Sequence, residues 1–310
     1  MLNEKRKIQN KRKIIISIIF LIIIIGFASA YSKTGIFQKS EIDSRDLATW
    51  NYNEKGEILD TNEFAKLGQR DKCWILIHSY TATPQEMAQL SESINAEFDD
   101  LVHAVKLSGH GEIPSNLLDK NLDIWYSQVE RRFDSFDSVC SEINVVGSSF
   151  GSVLALRLAQ ERNVSNLYIL NPFLGKSYEP HKIFPFKTRT KLYSDFFVYK
   201  KKDIVGEINF PAGREHHIAY LNMPYAPIKN SLDFIDLTIS DLNKVKNSIF
   251  IAYSENNEVT GDYSALLISD KVNSEKKVIA NYPLSNHVLL MDYDKDTLIR
   301  NILFFEIENR

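Results

Sequence analysis

The sequence predicts an α/β protein: a doubly wound, mostly parallel sheet with an inserted cap, preceded by an N-terminal hydrophobic segment. Three observations predict it. From about Asp71 onward, short apolar runs rich in strand formers alternate with amphipathic helical stretches, the pattern of parallel strands buried on both faces. That alternation stops between Leu174 and about Lys246 and then resumes. Finally, the first thirty residues differ from everything after them. The chain has 310 residues, 44% hydrophobic and 25% charged, a globular composition with enough apolar mass for one large core or two small ones.

Residues 1–13 carry six cations against Glu4, a net charge of +5. Ile14–Ala30 follows, 17 residues without a charge, ending in "ASA". This reads either as a secretory signal cleaved after Ala30 or as a membrane anchor with its basic end in the cytoplasm. Both readings export the body. With −3 for the whole chain, the remainder carries −8, an acidic balance that argues against general nucleic-acid binding. Residues 31–71 form a polar N-terminal extension with a short hairpin expected around "NEKGE".

Residues 72–310 then carry the sheet. Cys73–His78 reads as the first core strand. "TPQEMAQLSESINAEF" reads as a helix, with Thr83 as its cap, Pro84 in its first turn and Glu86 completing a capping box. Leu101–Leu107 is the next strand. A loop "SGHGEIPSN" leads to a helix with Trp125, Val129, Phe133 and Phe136 on one face. Ile143–Val146 is a strand, "SVLALRLAQER" a helix and Asn166–Leu170 a strand. "SIFIAY" and "KKVIANY" add two more strands, and "DTLIRNILFFEIEN" closes the chain as a helix. Between them, residues 175–246 read as the cap. Residues 176–202 hold eight Lys/Arg interleaved with aromatics such as Tyr178, Phe184, Phe186 and Tyr193. Such a flap suits either an anionic membrane surface or a solvated face over an aromatic mini-core. Cys73, at the start of a strand, and Cys140, just before one, fit one disulfide or two buried thiols.

In doubly wound sheets chemistry collects at the carboxyl ends of strands. Ser149 stands just past one of them, in "VVGSSFGS". Gly-x-Ser-x-Gly between an apolar strand and a helix is the context of a nucleophile elbow. A histidine must then supply a general base. Seven are present. The His216–His217 pair has no carboxylate or third histidine at ligand spacing, so no metal is expected, nor any cofactor.

"VVGSSFGS", "ILIHSYTATPQEM", "VKLSGHG" and "SNHVLLMD", in that order, resemble the α/β-hydrolase family, and within it the bacterial carboxylesterases and monoacylglycerol lipases. The resemblance covers roughly Asp71–Leu174 and Ser248–Arg310. It implies a serine esterase acting on small ester or lipid substrates, with Ser149 as nucleophile and His287 as general base. It implies an oxyanion hole from the backbone N–H groups of Tyr80 and Phe150, and structural roles for His78 and His110. Two positions depart from the family pattern. Ser79 stands where a glycine is usual, which restricts the backbone. The acid position, thirty residues before His287, is Asn257. Glu258 is the favoured substitute and Glu255 a weaker one; otherwise the site is weak or inactive. The alternative acid position, after Leu170, is also an asparagine, Asn171.

Overall fold

The computed structural model describes residues 2–36, 38–175, 184–202 and 207–310. Lys176, Tyr178 and Lys182 of the basic, aromatic stretch lie outside them. Ten strands run through the described residues: β1 (Thr34–Ile36), β2 (Phe64–Lys66), β3 (Lys72–Ile77), β4 (Leu101–Val105), β5 (Glu142–Ser148), β6 (Asn166–Leu170), β7 (Phe197–Lys201), β8 (Asn222–Pro224), β9 (Ser248–Tyr253) and β10 (Lys277–Asn281). Seven form the main sheet in the order β10-β9-β6-β5-β3-β4-β2. All neighbours are parallel except β2, which runs antiparallel along the edge of β4.

The central strands are mainly apolar because each face of the sheet has its own core. Alternate residues part to opposite sides. Cys73, Ile75 and Ile77 of β3 belong to one cluster, Trp74 and Leu76 to the other. Likewise Leu167 and Ile169 of β6 oppose Tyr168 and Leu170. The helices Leu122–Asp137, Phe150–Glu161, Leu232–Ser240 and Tyr263–Lys271 cover the first face. Ala88–Phe98 and Lys295–Ile307 cover the second. The four residues Trp125, Val129, Phe133 and Phe136 are all buried in the first core, as their spacing predicts.

The stretch expected to be one helix from Thr83 is two elements, a 3-10 turn Pro84–Met87 and the α-helix Ala88–Phe98. The expected capping box does not form. The Thr83 hydroxyl donates to the Ile218 carbonyl at 3.2 Å. The Glu86 carboxylate turns instead to Ser79, accepting its N–H at 3.2 Å and its hydroxyl at 2.8 Å. Glu86 is thus drawn away from the helix end into the loop after β3.

Among the described residues the segment between β6 and β9 contributes β7, β8 and four α-helices. With β1 it builds a second, antiparallel sheet ordered β1-β7-β8. The polar extension is therefore knit into both sheets through β1 and β2. Its Asp46, fully buried, accepts the N–H groups of Leu221 and Asn222 at 2.8 and 3.2 Å. Burial raises the Asp46 pKa to about 6 despite those bonds. Of the short hairpin expected around "NEKGE", the structure has the turn, closed by the Asn53 N–H on the Glu57 carbonyl, and a single isolated Tyr52–Ile58 bridge in place of paired strands.

The N-terminal segment is one helix, Leu2–Lys33. Within Gln9–Lys33 an 18-residue window reaches a mean hydropathy of 2.8, and none of that window is buried. That is long and apolar enough to cross a bilayer. Cys73 and Cys140 form a disulfide with Cα atoms 5.9 Å apart.

Candidate active site

β5 ends at Ser148 and the helix Phe150–Glu161 begins two residues later, so Ser149 alone makes the turn. It does so at φ 51° and ψ −112°, a strained conformation for a residue with a side chain. Its N–H donates to the Leu170 carbonyl on β6 at 2.8 Å, and its carbonyl accepts from Phe173 at 3.2 Å. The flanking glycines are required by proximity. A Cβ on Gly147 would lie 2.5 Å from the Gly151 oxygen, and one on Gly151 would lie 2.4 Å from the Ile77 oxygen.

His287 follows β10 on a loop held from several sides. The Asn171 side-chain amide donates to the carbonyls of Asn286 and His287 at 2.9 and 2.8 Å. The N–H groups of His287 and Val288 donate to the Glu207 carbonyl at 3.0 and 3.1 Å. Asp292 accepts the Asn286 N–H at 2.8 Å. Asn171 thus braces the histidine loop. So held, His287 Nε2 lies 2.8 Å from Ser149 Oγ across 138 residues of chain. Both side chains are about 6% exposed.

On the other ring nitrogen, His287 Nδ1 meets Asn257 Oδ1 at 3.1 Å. This corrects the expectation that Glu258 takes that place. The reason is local. Asn257 Oδ1 also accepts the N–H groups of Val259 and Thr260 at 3.0 and 3.1 Å, which aims the side chain inward. Glu258 and Glu255 are exposed; Glu258 is anchored by its N–H to the Asn286 side chain and lines the cavity wall.

The orientation of the Asn257 amide carries chemical weight. Its Nδ2 donates to Thr260 Oγ1 at 2.6 Å. Turned over, the NH2 group would confront two backbone N–H donors. Oδ1 therefore faces His287 as an acceptor, which places the imidazole proton on Nδ1 and the lone pair of Nε2 toward the serine hydroxyl. That is the tautomer a general base requires.

The loop after β3 approaches from the opposite side. His78 is fully buried, its Nδ1 on the Ser79 carbonyl at 2.8 Å and its Nε2 accepting the Leu107 N–H at 3.2 Å. Burial lowers its pKa to about 4, so it is neutral and shapes the loop. His110 packs edge-on to it at 4.9 Å. Ser79, in the glycine slot, keeps a negative φ; the left-handed residue of this loop is Thr81, at φ 67°. The Ser79 hydroxyl joins Glu86 and lies 2.9 Å from Ser148 Oγ. Phe150, as the first residue of its helix, has no carbonyl one turn earlier to bond. Among the described residues neither its N–H nor that of Tyr80 finds an acceptor. Ser79, Tyr80, Ser149, Phe150 and His287 share one cavity of about 770 Å3.

Three lining residues were not assigned to the site from the sequence: Lys202, counted only with the basic flap, His217, weighed only as half of a metal-binding pair, and Glu207. Lys202 Nζ is 2.8 Å from Glu207 Oε2 and 2.8 Å from Thr81 Oγ1. Burial pushes the Glu207 pKa up, but Lys202 and then His287 outweigh it, so the carboxyl titrates below its ordinary value. The two adjacent histidines part company. His216 is exposed, with its Nδ1 on the Ala212 carbonyl at 2.8 Å, whereas His217 is buried in the cavity wall.

The mostly parallel seven-stranded sheet, with its serine on a strained elbow and a histidine within bonding reach, has the α/β-hydrolase fold. The chain is similar to a carboxylesterase of Bacillus subtilis, 21% identical over 240 residues, which are 76% of this chain and 92% of that protein. Among solved structures it resembles a metagenome-derived lipolytic enzyme (TM-score 0.70, 20% identity, covering 80% of this chain and 98% of that one). A monoacylglycerol lipase of Paleococcus ferrophilus is similar too, at a TM-score of 0.69 and 13% identity, covering 81% of this chain and 100% of that one. No family model matches the chain.

Proposed function

We propose that the protein is an exported serine hydrolase that cleaves carboxylic esters through an acyl-Ser149 intermediate. The observation that carries this reading is the 2.8 Å contact between Ser149 Oγ and His287 Nε2 inside a cavity of about 770 Å3. In the first half-reaction Ser149 Oγ attacks the ester carbonyl carbon as its proton passes to His287 Nε2. The N–H groups of Tyr80 and Phe150 receive the oxyanion. The bond from carbon to the alcohol oxygen then breaks, and the alcohol leaves with the proton from His287. In the second half a water repeats the attack, gives its proton to His287, and releases the acid as the proton returns to Ser149. Asn257 holds the ring in its working tautomer throughout.

The N-terminal helix and the disulfide support export, since disulfides persist in oxidising compartments. Residues 175–246 serve as a cap, because Phe186, Arg189, Thr190, Met223, Tyr225 and Ile228 wall the cavity. A fluorophosphonate probe is expected to label the wild type and leave Ser149→Ala unlabelled. An inert wild type would overturn the reading.

Asn257 also favours a second reading, a binding protein whose catalysis has decayed, because a neutral amide cannot offset the imidazolium charge. Turnover of p-nitrophenyl butyrate that disappears in His287→Ala decides against it.

A further inference from the structure

The cavity around Ser149 is charged in the opposite sense to the molecule. The chain carries −3 overall. Yet the cationic side chains of Lys33, Arg45, Arg189, Lys200, Lys201 and Lys202 line the cavity, against the carboxylates Glu207 and Glu258. Lys202 is engaged with Glu207, and Arg45 Nη1 donates to the Leu221 carbonyl at 3.1 Å. Lys33, Lys200 and Lys201 are exposed at the rim. Among the described residues none of these three has a carboxylate within ion-pair distance. Concentrated positive charge at the mouth of a cleft raises the local concentration of anions.

A buried polar ring points to the same ligand. His217 is 1% exposed and lines this cavity, and among the described residues neither ring nitrogen has a hydrogen-bond partner. Burial, the largest influence, takes its pKa down to about 3, so the neutral ring offers one donor and one acceptor. Buried polar groups without partners are uncommon, and one facing a cavity is suited to a ligand's polar atoms.

Much of the remaining wall is aromatic. Tyr80 and Phe150 have ring centroids 5.4 Å apart, Phe150 and Phe173 5.7 Å, and Phe173 and Phe186 5.5 Å. This aromatic ladder runs from the loop after β3 to the helix Phe186–Phe196. The cavity is thus amphipathic, and its charged rim is where the apolar N-terminal helix ends. Ser32 and Lys33 line it, Thr34 of β1 pairs with Lys200 of β7, and Lys201 Nζ reaches the Ser32 carbonyl at 3.4 Å.

We propose that the cavity selects single-chain acyl esters whose alcohol half bears a negative charge. The acyl chain lies along the aromatic ladder, the charge faces Lys33, Lys200 and Lys201, and His217 bonds a headgroup hydroxyl or phosphoryl oxygen. This rests on the esterase reading and names its substrate class.

The test uses the full chain in neutral detergent micelles. Three substrates share one acyl chain: 1-oleoyl-lysophosphatidylglycerol (anionic), 1-oleoyl-lysophosphatidylcholine (zwitterionic) and 1-oleoylglycerol (neutral). The expected kcat/KM for the anionic lipid exceeds that for the other two by about 10-fold, the scale of a few solvent-screened charges. The ratio should shrink as salt is added, and approach one in Lys200→Gln/Lys201→Gln. Equal rates, or a preference that neither salt nor the double variant reduces, overturn the proposal. Turnover of p-nitrophenyl butyrate, run in parallel, separates the two readings. If that ester is hydrolysed without any anionic preference, the substrate class falls and the hydrolase stands. If no ester is cut, the hydrolase reading falls. Calorimetric titration of Ser149→Ala with the same three lipids then decides the selectivity: about tenfold tighter binding of the anionic lipid sustains it, and equal binding rejects it.

Discussion

Asn257 separates two things that an aspartate does together. In a serine triad the acid fixes the imidazole tautomer and offsets the positive charge that develops on it. Replacing it by its amide costs about 10⁴ in kcat when the tautomer is lost. Here the oxygen of Asn257 faces His287 Nδ1, locked by the N–H groups of Val259 and Thr260, so orientation is preserved and charge is missing. Asn257→Asp can keep all three bonds, and the Thr260 hydroxyl can turn to donate to the second oxygen. Its kcat/KM toward p-nitrophenyl butyrate is expected to rise, by about 10- to 10³-fold, short of the full 10⁴ because the tautomer is already right. An unchanged or lower rate in a folded variant would show that the neutral residue suits the chemistry. Part of the absent charge has a neighbour: ionised Glu207 lies in the electrostatic reach of His287, though paired with Lys202.

At the scale of elements, the elbow shows what a short motif does in three dimensions. Gly151 lets the helix Phe150–Glu161 touch the end of β3, where its missing Cβ would meet the carbonyl oxygens of Ile77 and His78 at 2.4 and 2.7 Å. Gly151→Ala is expected to push that helix from the loop after β3, costing about 1–3 kcal/mol by overpacking and lowering kcat. Thermal unfolding and p-nitrophenyl butyrate turnover of the purified variant check both effects; a wild-type melting temperature with wild-type kcat would contradict this. Strands of the main sheet were legible because burial on both faces leaves unbroken apolar runs such as Ser248–Tyr253. Ser149 was legible from its local Gly-x-Ser-x-Gly context, whereas His287 and the position of Asn257 were legible only through the resemblance to the α/β-hydrolase family. β1 and β2 were not, since three residues are too few to show a period. The exchange of the Thr83–Glu86 cap for Glu86–Ser79 bonds was equally hidden. It depends on β3 and β5 lying side by side, a fact of topology. Lys202, Glu207 and His217 sit in a segment with no periodic pattern, and only folding brings them to the serine.

For the whole molecule, buried ionisable groups set the response to acid. His78 and His217 have pKa values brought down by burial to about 4 and about 3, below the value of about 6.5 in an unfolded chain. Unfolding therefore takes up protons below about pH 6.5, so their contribution is present above that pH and lost as pH falls toward 4. Asp46, raised to about 6, acts in the opposite sense: its contribution is present below about pH 4 and lost as pH rises through 6. With two histidines against it, the urea midpoint is expected to drop between pH 7 and pH 4.5. His78 contributes at most about 3 kcal/mol of that loss, and His217→Gln should flatten it. A midpoint independent of pH would refute this account. The Cys73–Cys140 bond joins the starts of the two central strands, whose far ends carry Ser79 and Ser149, about 20 Å away at the rise of a strand. A reductant should therefore act as a thermostat and leave the engine running. Dithiothreitol is expected to lower the melting temperature, by up to about 4 kcal/mol of stability for a loop of this length, with turnover at 25 °C unaltered. In a compartment whose thiol poise fluctuates, the protein's lifetime would vary while its work per molecule stayed constant.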